Sequence, residues 1–192
     1  LDLLYKIRRE EFVLPANRAM AFVDMETPLG HGQVMLAPKM EARILQELHV
    51  QKTDKILEVG SGSGYLTALL AEKGAHVYSA EIVPELKAMA ENNLRTHGIT
   101  NVTVEQGDAA QGWSKHEPYD VIVLTASTPV LPETFLKSLN PGGRLFAIVG
   151  DDLVMEALLI NCTAPGEFKT TQLFETCTAP FINALQPARF TF

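Results

Sequence analysis

The sequence predicts an α/β fold: a doubly wound, mostly parallel seven-stranded sheet with helices on both faces and an antiparallel hairpin at its C-terminal edge. Short apolar runs rich in branched side chains alternate with amphipathic segments, which is typical of parallel strands joined by helical crossovers. The last two strand-like segments have only the Pro165-Gly166 turn between them, and a parallel pair needs a longer crossover. A chain of 192 residues is long enough for one such domain.

Each predicted element has a local signal. Proline at a first helical turn opens helices at Pro38 and Pro84, and His97-Gly98 ends the second of them. Residues 16–32 show no hydrophobic period and predict an irregular connection over the sheet. In chain order we expect helices at residues 1–12, 38–48, 65–72, 84–96, 110–115 and 132–139, and strands at residues 56–59, 75–80, 102–106, 119–124, 144–149, 155–162 and 170–178.

Charge and composition disfavour several classes of protein. The formal net charge is −7 and the one basic cluster is Lys6-Ile7-Arg8-Arg9, whereas nucleic-acid backbones require a basic face. No apolar run is long enough to span a bilayer. Cys162 and Cys177 lack metal-ligand spacing and predict reduced core residues. We therefore expect a cytoplasmic protein that binds neither nucleic acid nor membrane, and we expect it to be a monomer. Because the sequence starts at Leu1 in the middle of a helix-like stretch, we also expect a segment before it.

A glycine-rich turn, Gly60-Ser61-Gly62-Ser63-Gly64, follows the first buried strand. Glycines allow positive φ and let a ligand lie against the main chain, and the following helix start offers unpaired N–H groups. A dinucleotide-binding turn needs a further glycine where this chain has Tyr65. Glu58, at the end of the strand, suits a cation and would repel a pyrophosphate. The turn therefore fits S-adenosylmethionine, which is cationic; a tight connection without a ligand is the alternative.

Acidic residues also end the next two predicted strands. Glu81 follows the second strand, where a carboxylate can accept hydrogen bonds from both hydroxyls of a ribose. Asp108 follows the third strand, within Gly107-Asp108-Ala109, where it can accept from an adenine amino group. The alternatives are a solvated strand end for Glu81 and a turn-forming role for Asp108. Because the carboxyl ends of parallel strands share one edge, these residues and the glycine turn predict a single site.

The fourth predicted strand ends in Thr125-Ala126-Ser127. Enzymes that methylate base amino groups commonly have Asn/Asp-Pro-Pro-Tyr/Phe here, and metal-dependent catechol-type methyltransferases have carboxylates; this chain has neither. We therefore predict no metal site. His31 lies between two glycines and is either a loop residue or a catalytic base.

Several segments resemble one enzyme family. Gly30-His31-Gly32-Gln33 with Ala37-Pro38 before the first strand, and Gly112-Trp113 after the acidic turn, are more specific than the glycine turn, which identifies only a class I, Rossmann-like methyltransferase. On these residues the chain is similar to the protein-L-isoaspartate O-methyltransferase family over roughly residues 3–150, and more loosely in the tail. The remaining matches are Arg9-Glu10-Glu11-Phe12-Val13, Leu57–Tyr65, Gly107-Asp108, Pro118-Tyr119-Asp120, Pro141-Gly142-Gly143-Arg144-Leu145 and Val149-Gly150.

The resemblance implies S-adenosylmethionine-dependent methylation of the α-carboxyl of L-isoaspartyl residues in damaged proteins, which starts their repair. It divides the single domain into N-terminal helices and a substrate-side cover (1–50), a cofactor-binding core (51–150) and C-terminal edge strands (151–192). The implied substrate-side residues are Gln33, Val34, Met35, Leu36, Pro38 and Thr125. The implied cofactor-binding residues are Gly60, Ser61 and Gly62 at the methionine part, Glu81 at the ribose, Asp108 and Ala109 at the adenine, and in addition Glu58 and Ile82.

The resemblance places the substrate-side cover at Gln33–Pro38, and this segment departs from the family pattern Gly-Gln-Thr-Ile-Ser-x-Pro. Val34 and Leu36 stand at its two hydroxyl positions, of which the serine is assigned a direct role at the acceptor carboxylate, and Ala109 replaces a glycine. We therefore assign no catalytic residue. An ionised carboxylate needs no general base, so slow isoaspartyl methylation is the leading hypothesis. The alternatives are a different acceptor, such as a small-molecule hydroxyl or carboxylate, and a non-catalytic domain that binds S-adenosylmethionine.

Overall fold

A computed structural model describes residues 2–151 and 153–188. Short 3-10 helices lie at Arg9–Glu11, Pro15–Met20 and Ser114–His116. The α-helices are α1 (Asp2–Lys6), α2 (Pro38–Leu48), α3 (Tyr65–Lys73), α4 (Pro84–Thr96) and α5 (Glu133–Lys137). The strands are β1 (Thr27–Gly30), β2 (Gln33–Met35), β3 (Lys55–Val59), β4 (His76–Glu81), β5 (Val102–Gln106), β6 (Tyr119–Thr128), β7 (Leu139–Asp151), β8 (Val154–Ala164) and β9 (Glu167–Thr176).

The main sheet has seven strands in the order β5-β4-β3-β6-β7-β8-β9. Its first five strands are parallel, while β8 pairs antiparallel with both β7 and β9. The predicted fold class and the antiparallel C-terminal edge are therefore confirmed. The order reverses at β3, whose neighbours β4 and β6 continue the chain in opposite directions, and ligands of open α/β sheets bind at such a point.

Both faces of the sheet are covered, as the apolar strands predict. Successive residues of β3 point to opposite faces, so that Ile56 joins the core beneath α2, α3 and α4, and Leu57 joins the core on the other face with Phe135 of α5. Ile44 and Leu48 of α2 are completely buried, which accounts for the apolar face predicted for that helix. Each such side chain contributes roughly 1.5–3 kcal/mol by burial.

The helix predicted over residues 1–12 is confirmed only in its first half. The α-helix ends at Lys6, and Arg9–Glu11 form a 3-10 turn. Arg9 is buried and bonds to groups far along the chain, so tertiary contacts outweigh the helical preference of this segment.

Two further predictions of local structure are corrected. The second half of the supposed irregular connection is a hairpin of β1 and β2, whose turn places Gly30, His31 and Gly32 at φ of 85°, 55° and 70°. Residues 110–115 form no α-helix, because Gly112 has φ of 135° and Trp113 is held by its indole N–H, which donates to the Glu105 carboxylate at 3.0 Å.

Cysteine placement agrees with the prediction at one position only. Cys162 is buried, whereas Cys177 is exposed just beyond β9. Among the helices in residues 2–151 and 153–188, none has the length and apolar character needed to cross a membrane.

Candidate active site

A cavity of about 100 Å³ opens at the carboxyl edge of the parallel strands. The glycine turn after β3, the ends of β4, β5 and β6, the β1–β2 hairpin and the segment after β9 meet there. Of the residues predicted for the site, this cavity is lined by Gln33, Val34, Gly60, Gly62, Glu81, Ile82, Asp108, Ala109 and Thr125. The topology therefore brings most of the predicted residues together.

A smaller cavity of about 40 Å³ lies beneath the cover and beside the glycine turn. Val34, Gly60, Gly62 and Thr125 line both cavities, so the two are neighbours. The remaining predicted residues that line it are Met35, Leu36, Glu58 and Ser61. Pro38 opens α2 and lines neither cavity, and His31 lies exposed at the hairpin tip, outside both.

The glycine turn has the backbone that its sequence predicts. Gly60 has φ of 93° and Gly62 has φ of 53°, conformations that favour glycine. A Cβ on Gly60 would lie 2.3 Å from the Thr125 hydroxyl oxygen, which donates to the carbonyls of Val59 at 2.7 Å and Gly60 at 3.0 Å. Main chain, rather than side chain, therefore forms the floor of the cavity.

Glu81 ties the glycine turn to the end of β4. Its Oε2 accepts a hydrogen bond from the Gly62 N–H at 2.9 Å and its Oε1 accepts from the Val83 N–H at 3.0 Å. The residue is only 4% exposed, so the carboxylate is fixed at the cavity wall. Each carboxylate oxygen has a second acceptor position, which leaves Glu81 able to bind two hydroxyl groups.

Asp108 lies at the end of β5 and bonds to the C-terminal segment. Its Oδ1 accepts from the Ala110 N–H at 3.0 Å, and its Oδ2 accepts from the Asn183 amide at 2.8 Å. Gly107 before it is covered by the Trp113 ring, since a Cβ there would lie 2.6 Å from a ring carbon. The Trp113 ring therefore packs against the backbone of the turn that carries Asp108.

Glu58 is buried beneath the turn rather than lining the larger cavity. Its Oε2 accepts from the hydroxyls of Thr67 at 2.5 Å and Ser79 at 2.7 Å, and Ser79 in turn lies 2.6 Å from the Ser61 hydroxyl. Burial raises the pKa of Glu58 to about 8, although the two hydrogen bonds act to lower it. Its Oε1 has no partner within the described ranges 2–151 and 153–188. A buried acceptor in that position fits a cationic donor supplied by a ligand.

The sequence reasoning missed the segment that follows β9. Its backbone is bonded to the end of β6: the Ser127 N–H donates to the Ala179 carbonyl at 3.1 Å, and the Phe181 N–H donates to the Ser127 carbonyl at 2.9 Å. It contributes to the cavity wall Thr178, Ala179, Pro180, Phe181 and Ile182. The predicted strand ran to residue 178, but β9 ends at Thr176. The apolar pair Pro180-Phe181, which begins four residues beyond the end of β9, is the feature of the sequence that indicates this wall.

The residues present fit S-adenosylmethionine. A glycine floor without side chains, two carboxylates at successive strand ends and a buried unpartnered carboxylate oxygen match a ligand with an adenosine and cationic groups. In the part of the chain that the structure describes, no group of three His, Cys, Asp or Glu side chains is placed to hold a metal ion. The fold and this site define a class I S-adenosylmethionine-dependent methyltransferase.

Comparison with known proteins gives the family. The model of the Protein-L-isoaspartate(D-aspartate) O-methyltransferase family matches residues 1–184, and the chain belongs to this family. A protein-L-isoaspartate O-methyltransferase of Gloeobacter violaceus is 36% identical over 180 residues, which cover 94% of this chain and 88% of that protein. One of Staphylothermus marinus is 39% identical over 188 residues, covering 93% and 84%. The resemblance seen in the sequence is therefore confirmed.

Solved structures agree. A structure named protein-L-isoaspartate O-methyltransferase superimposes with a TM-score of 0.81 at 26% identity, covering 95% of this chain and 60% of its own. A Plasmodium falciparum protein assigned to the same family, solved in complex with S-adenosyl-L-homocysteine, has a TM-score of 0.79 at 22% identity, covering 93% and 88%. The second likeness supports the fold.

Proposed function

We propose that this chain is an S-adenosylmethionine-dependent carboxyl O-methyltransferase that methylates the α-carboxyl of L-isoaspartyl residues in damaged proteins and so starts their repair. Its relatives carry the name of that activity. The observation that carries the proposal is that the cover lies next to the glycine turn. Val34 of the cover and Thr125 line both the larger and the smaller cavity. An acceptor held under the cover therefore lies beside the glycine turn.

We propose that the cofactor lies along the strand ends. The backbone of Gly60, Ser61 and Gly62 would hold its methionine part. The Glu81 carboxylate, buried with acceptor positions to spare, would accept from both ribose hydroxyls. Asp108 would accept from the adenine amino group.

Two groups would complete the cofactor site. Ile82 and Ala109, each the residue directly after one of these carboxylates, line the cavity and would offer apolar contact to the adenine ring. The unpartnered Oε1 of Glu58 would accept from the cofactor ammonium, which supports a place for the methionine part at the smaller cavity. A cation there would favour the ionised form of Glu58.

When bound, S-adenosylmethionine supplies an electrophilic methyl group. An isoaspartyl α-carboxylate is ionised at neutral pH, so this chain needs no general base. Its residues have to bind the acceptor in line with the transferred group and to exclude water from it. The cover, whose Leu36 and Met35 are buried and whose Val34 is partly exposed at the cavity, is suited to the second task.

Orientation of the acceptor is the task that the cover performs less well. Neither Val34 nor Leu36 can donate a hydrogen bond, and one orienting donor is worth on the order of ten- to a thousandfold in rate. Gln33 lines the larger cavity, and its amide is the side-chain donor nearest to Val34 in the chain. We propose that it takes part of the orienting role and that turnover is slow.

The experiment is a methyl-transfer assay with labelled S-adenosylmethionine and two peptides that differ only in carrying L-isoaspartate or L-aspartate. We expect base-labile label in the isoaspartyl peptide alone. Label in neither peptide, with cofactor binding measured separately, would contradict the proposal and favour another acceptor. Label in both would contradict the specificity.

We further propose that the chain acts as a single-domain cytoplasmic monomer on protein substrates, without a nucleic-acid or membrane partner. The net charge of −7 supports this, because a nucleic-acid partner and an anionic membrane surface both select basic faces. Sedimentation at micromolar concentration, with and without duplex DNA or anionic vesicles, tests it. Co-sedimentation with either, or a dimer, would contradict it.

A further inference from the structure

Arg9 is a buried cation to which the chemistry above gives no role. It is 2% exposed, and its guanidinium reaches three different segments of the chain. Nε donates to the Ala21 carbonyl at 2.6 Å, Nη2 donates to the Leu36 carbonyl at 2.8 Å, and Nη1 donates to the Glu41 carboxylate, which is 3% exposed. The planar guanidinium can hold several acceptors at fixed angles, which a lysine ammonium cannot do.

One of these hydrogen bonds, from Nη2 to the Leu36 carbonyl, reaches the cover at the position where the family has its serine. The ladder between β1 and β2 ends at the pair Thr27 and Met35, so Leu36 lies beyond the last paired residue. The Arg9 guanidinium is the donor to its carbonyl, and the next carbonyl, of Ala37, accepts from the Glu41 N–H at 3.2 Å. The backbone at Leu36 is therefore fixed by Arg9 rather than by the hairpin.

The same guanidinium is linked to the glycine turn. Its central carbon lies 5.4 Å from the centroid of the Tyr65 ring, at cation–π distance, and Tyr65 is the first residue of α3 after the turn. Tyr65, Glu41 and Leu36 all line the smaller cavity. Arg9 thus connects the cover to the cofactor floor across that cavity.

We propose that Arg9 is a positioning residue for the acceptor site: through the Leu36 carbonyl it sets the distance between the cover and the glycine turn. The inference rests on the proposed function. Arg9 does not touch the substrate and acts through the cover. Because methyl transfer requires close, in-line contact, a displacement of about 1 Å can lower the rate about a hundredfold.

The test replaces the buried pair as a whole. Removing one partner would leave an uncompensated buried charge, whereas replacing both by apolar residues is often neutral for stability. We choose the double variant Arg9→Met/Glu41→Leu. The chain offers a matched control in Arg144→Met/Asp54→Leu: Arg144 bonds to the Leu48 carbonyl at 2.9 Å and to Asp54 at 2.6 Å, at the far end of α2.

Three quantities are measured on both variants: the Kd of S-adenosylmethionine, kcat/KM for an isoaspartyl peptide, and amide hydrogen exchange over residues 34–37. For the Arg9 pair we expect a cofactor Kd within about threefold of wild type, kcat/KM lowered at least about tenfold, and exchange faster by about tenfold or more. For the Arg144 pair we expect kcat/KM and exchange in the cover to match wild type. Equal behaviour of the two pairs would overturn the proposal.

Hydrogen exchange separates this inference from the proposed function. If wild type methylates no isoaspartyl peptide, the function fails, but exchange in the cover still reports whether Arg9 holds it. Arg9→Lys serves as a second variant should the double variant not fold. It retains a cation beside Glu41 but cannot hold both carbonyls at once, so we expect faster exchange at residues 36 and 37 and intermediate kcat/KM. Wild-type exchange in Arg9→Lys would overturn the proposal.

Discussion

The Thr125 hydroxyl oxygen lies 2.3 Å from the point that a Cβ atom would occupy on Gly60. Gly60 also has φ of 93°, so alanine there meets both a clash and an unfavourable backbone conformation. We predict that Gly60→Ala weakens S-adenosylmethionine binding by at least about tenfold, because the turn must move away from β6. Calorimetric titration of the cofactor measures the effect.

Gly142 provides the control for that substitution. It has φ of 82°, and a Cβ atom there would meet, apart from its chain neighbours, no atom of residues 2–151 and 153–188 within 4 Å. Gly142→Ala therefore carries the backbone strain without the clash, and it lies in β7 away from the cavity. We expect lower stability and unchanged cofactor affinity. Equal losses of affinity in the two variants would mean that the Thr125 contact has no part in binding.

Glu81 is predicted to hold the ribose. Glu81→Ala removes a charged acceptor, and hydrogen bonds to charged groups are worth about 1.5–3 kcal/mol, so we expect S-adenosylmethionine binding to weaken by about that amount. Glu85→Ala, an exposed carboxylate four residues further along, should leave binding unchanged. Titration of both variants decides the question, and wild-type affinity in Glu81→Ala would mean that the ribose is held elsewhere.

Glu58 should make stability depend on pH. Burial raises its pKa from 4.5 to about 8, opposed by the hydrogen bonds from Thr67 and Ser79. The folded protein thus retains a proton that the unfolded chain releases, so the contribution to stability is complete below pH 4.5 and is lost as pH rises through about 8. The slope from this group is at most about 1.4 kcal/mol per pH unit.

We predict that Glu58→Gln flattens the fall in the free energy of unfolding between about pH 5 and pH 8 relative to wild type. Urea unfolding at several pH values measures it, and Glu91→Gln, at an exposed position on α4, is the control for the change to an amide. Parallel curves for wild type and Glu58→Gln would show that Glu58 is ionised in the folded protein.

Leu36 is the position at which a single hydroxyl should raise activity. We predict that Leu36→Ser increases kcat on an isoaspartyl peptide by about tenfold or more while the cofactor Kd stays within about twofold, because the added donor stands at the position of the family's acceptor-side serine. Leu29→Ser is the control, since Leu29 is also buried and lines the same smaller cavity. A comparable gain from Leu29→Ser would indicate loosening of the cover rather than orientation of the acceptor.

Local patterns predicted the central sheet and the strand ends at which the larger cavity opens. Strand ends and the glycine turn have short-range signals, and a parallel sheet brings its carboxyl edges together, so Gly60, Glu81 and Asp108 meet as expected. The charge argument for Glu58 was less complete, because the sequence does not reveal how deeply a strand residue is buried, and burial raises its pKa to about 8.

The parts that were missed depend on contacts between distant segments. Arg9 pairs with Glu41, 32 residues along the chain, and the segment around Phe181 closes the cavity through Ser127, more than fifty residues away. Neither contact produces a hydrophobic period or a short motif in the sequence from which it could be predicted. The β1–β2 hairpin was missed because its strands are only four and three residues long, and its flanking glycines read as a flexible loop.

The most direct test of the account compares an isoaspartyl peptide with the same peptide whose isoaspartyl α-carboxyl is converted to a carboxamide. Both keep the isopeptide backbone, so they differ only in the atom that the site is proposed to methylate. We predict methyl transfer to the first peptide, saturable in both peptide and S-adenosylmethionine, and none to the second. Equal transfer to both, or transfer to neither by a protein that binds the cofactor, would contradict the claim that this cavity methylates isoaspartyl carboxylates.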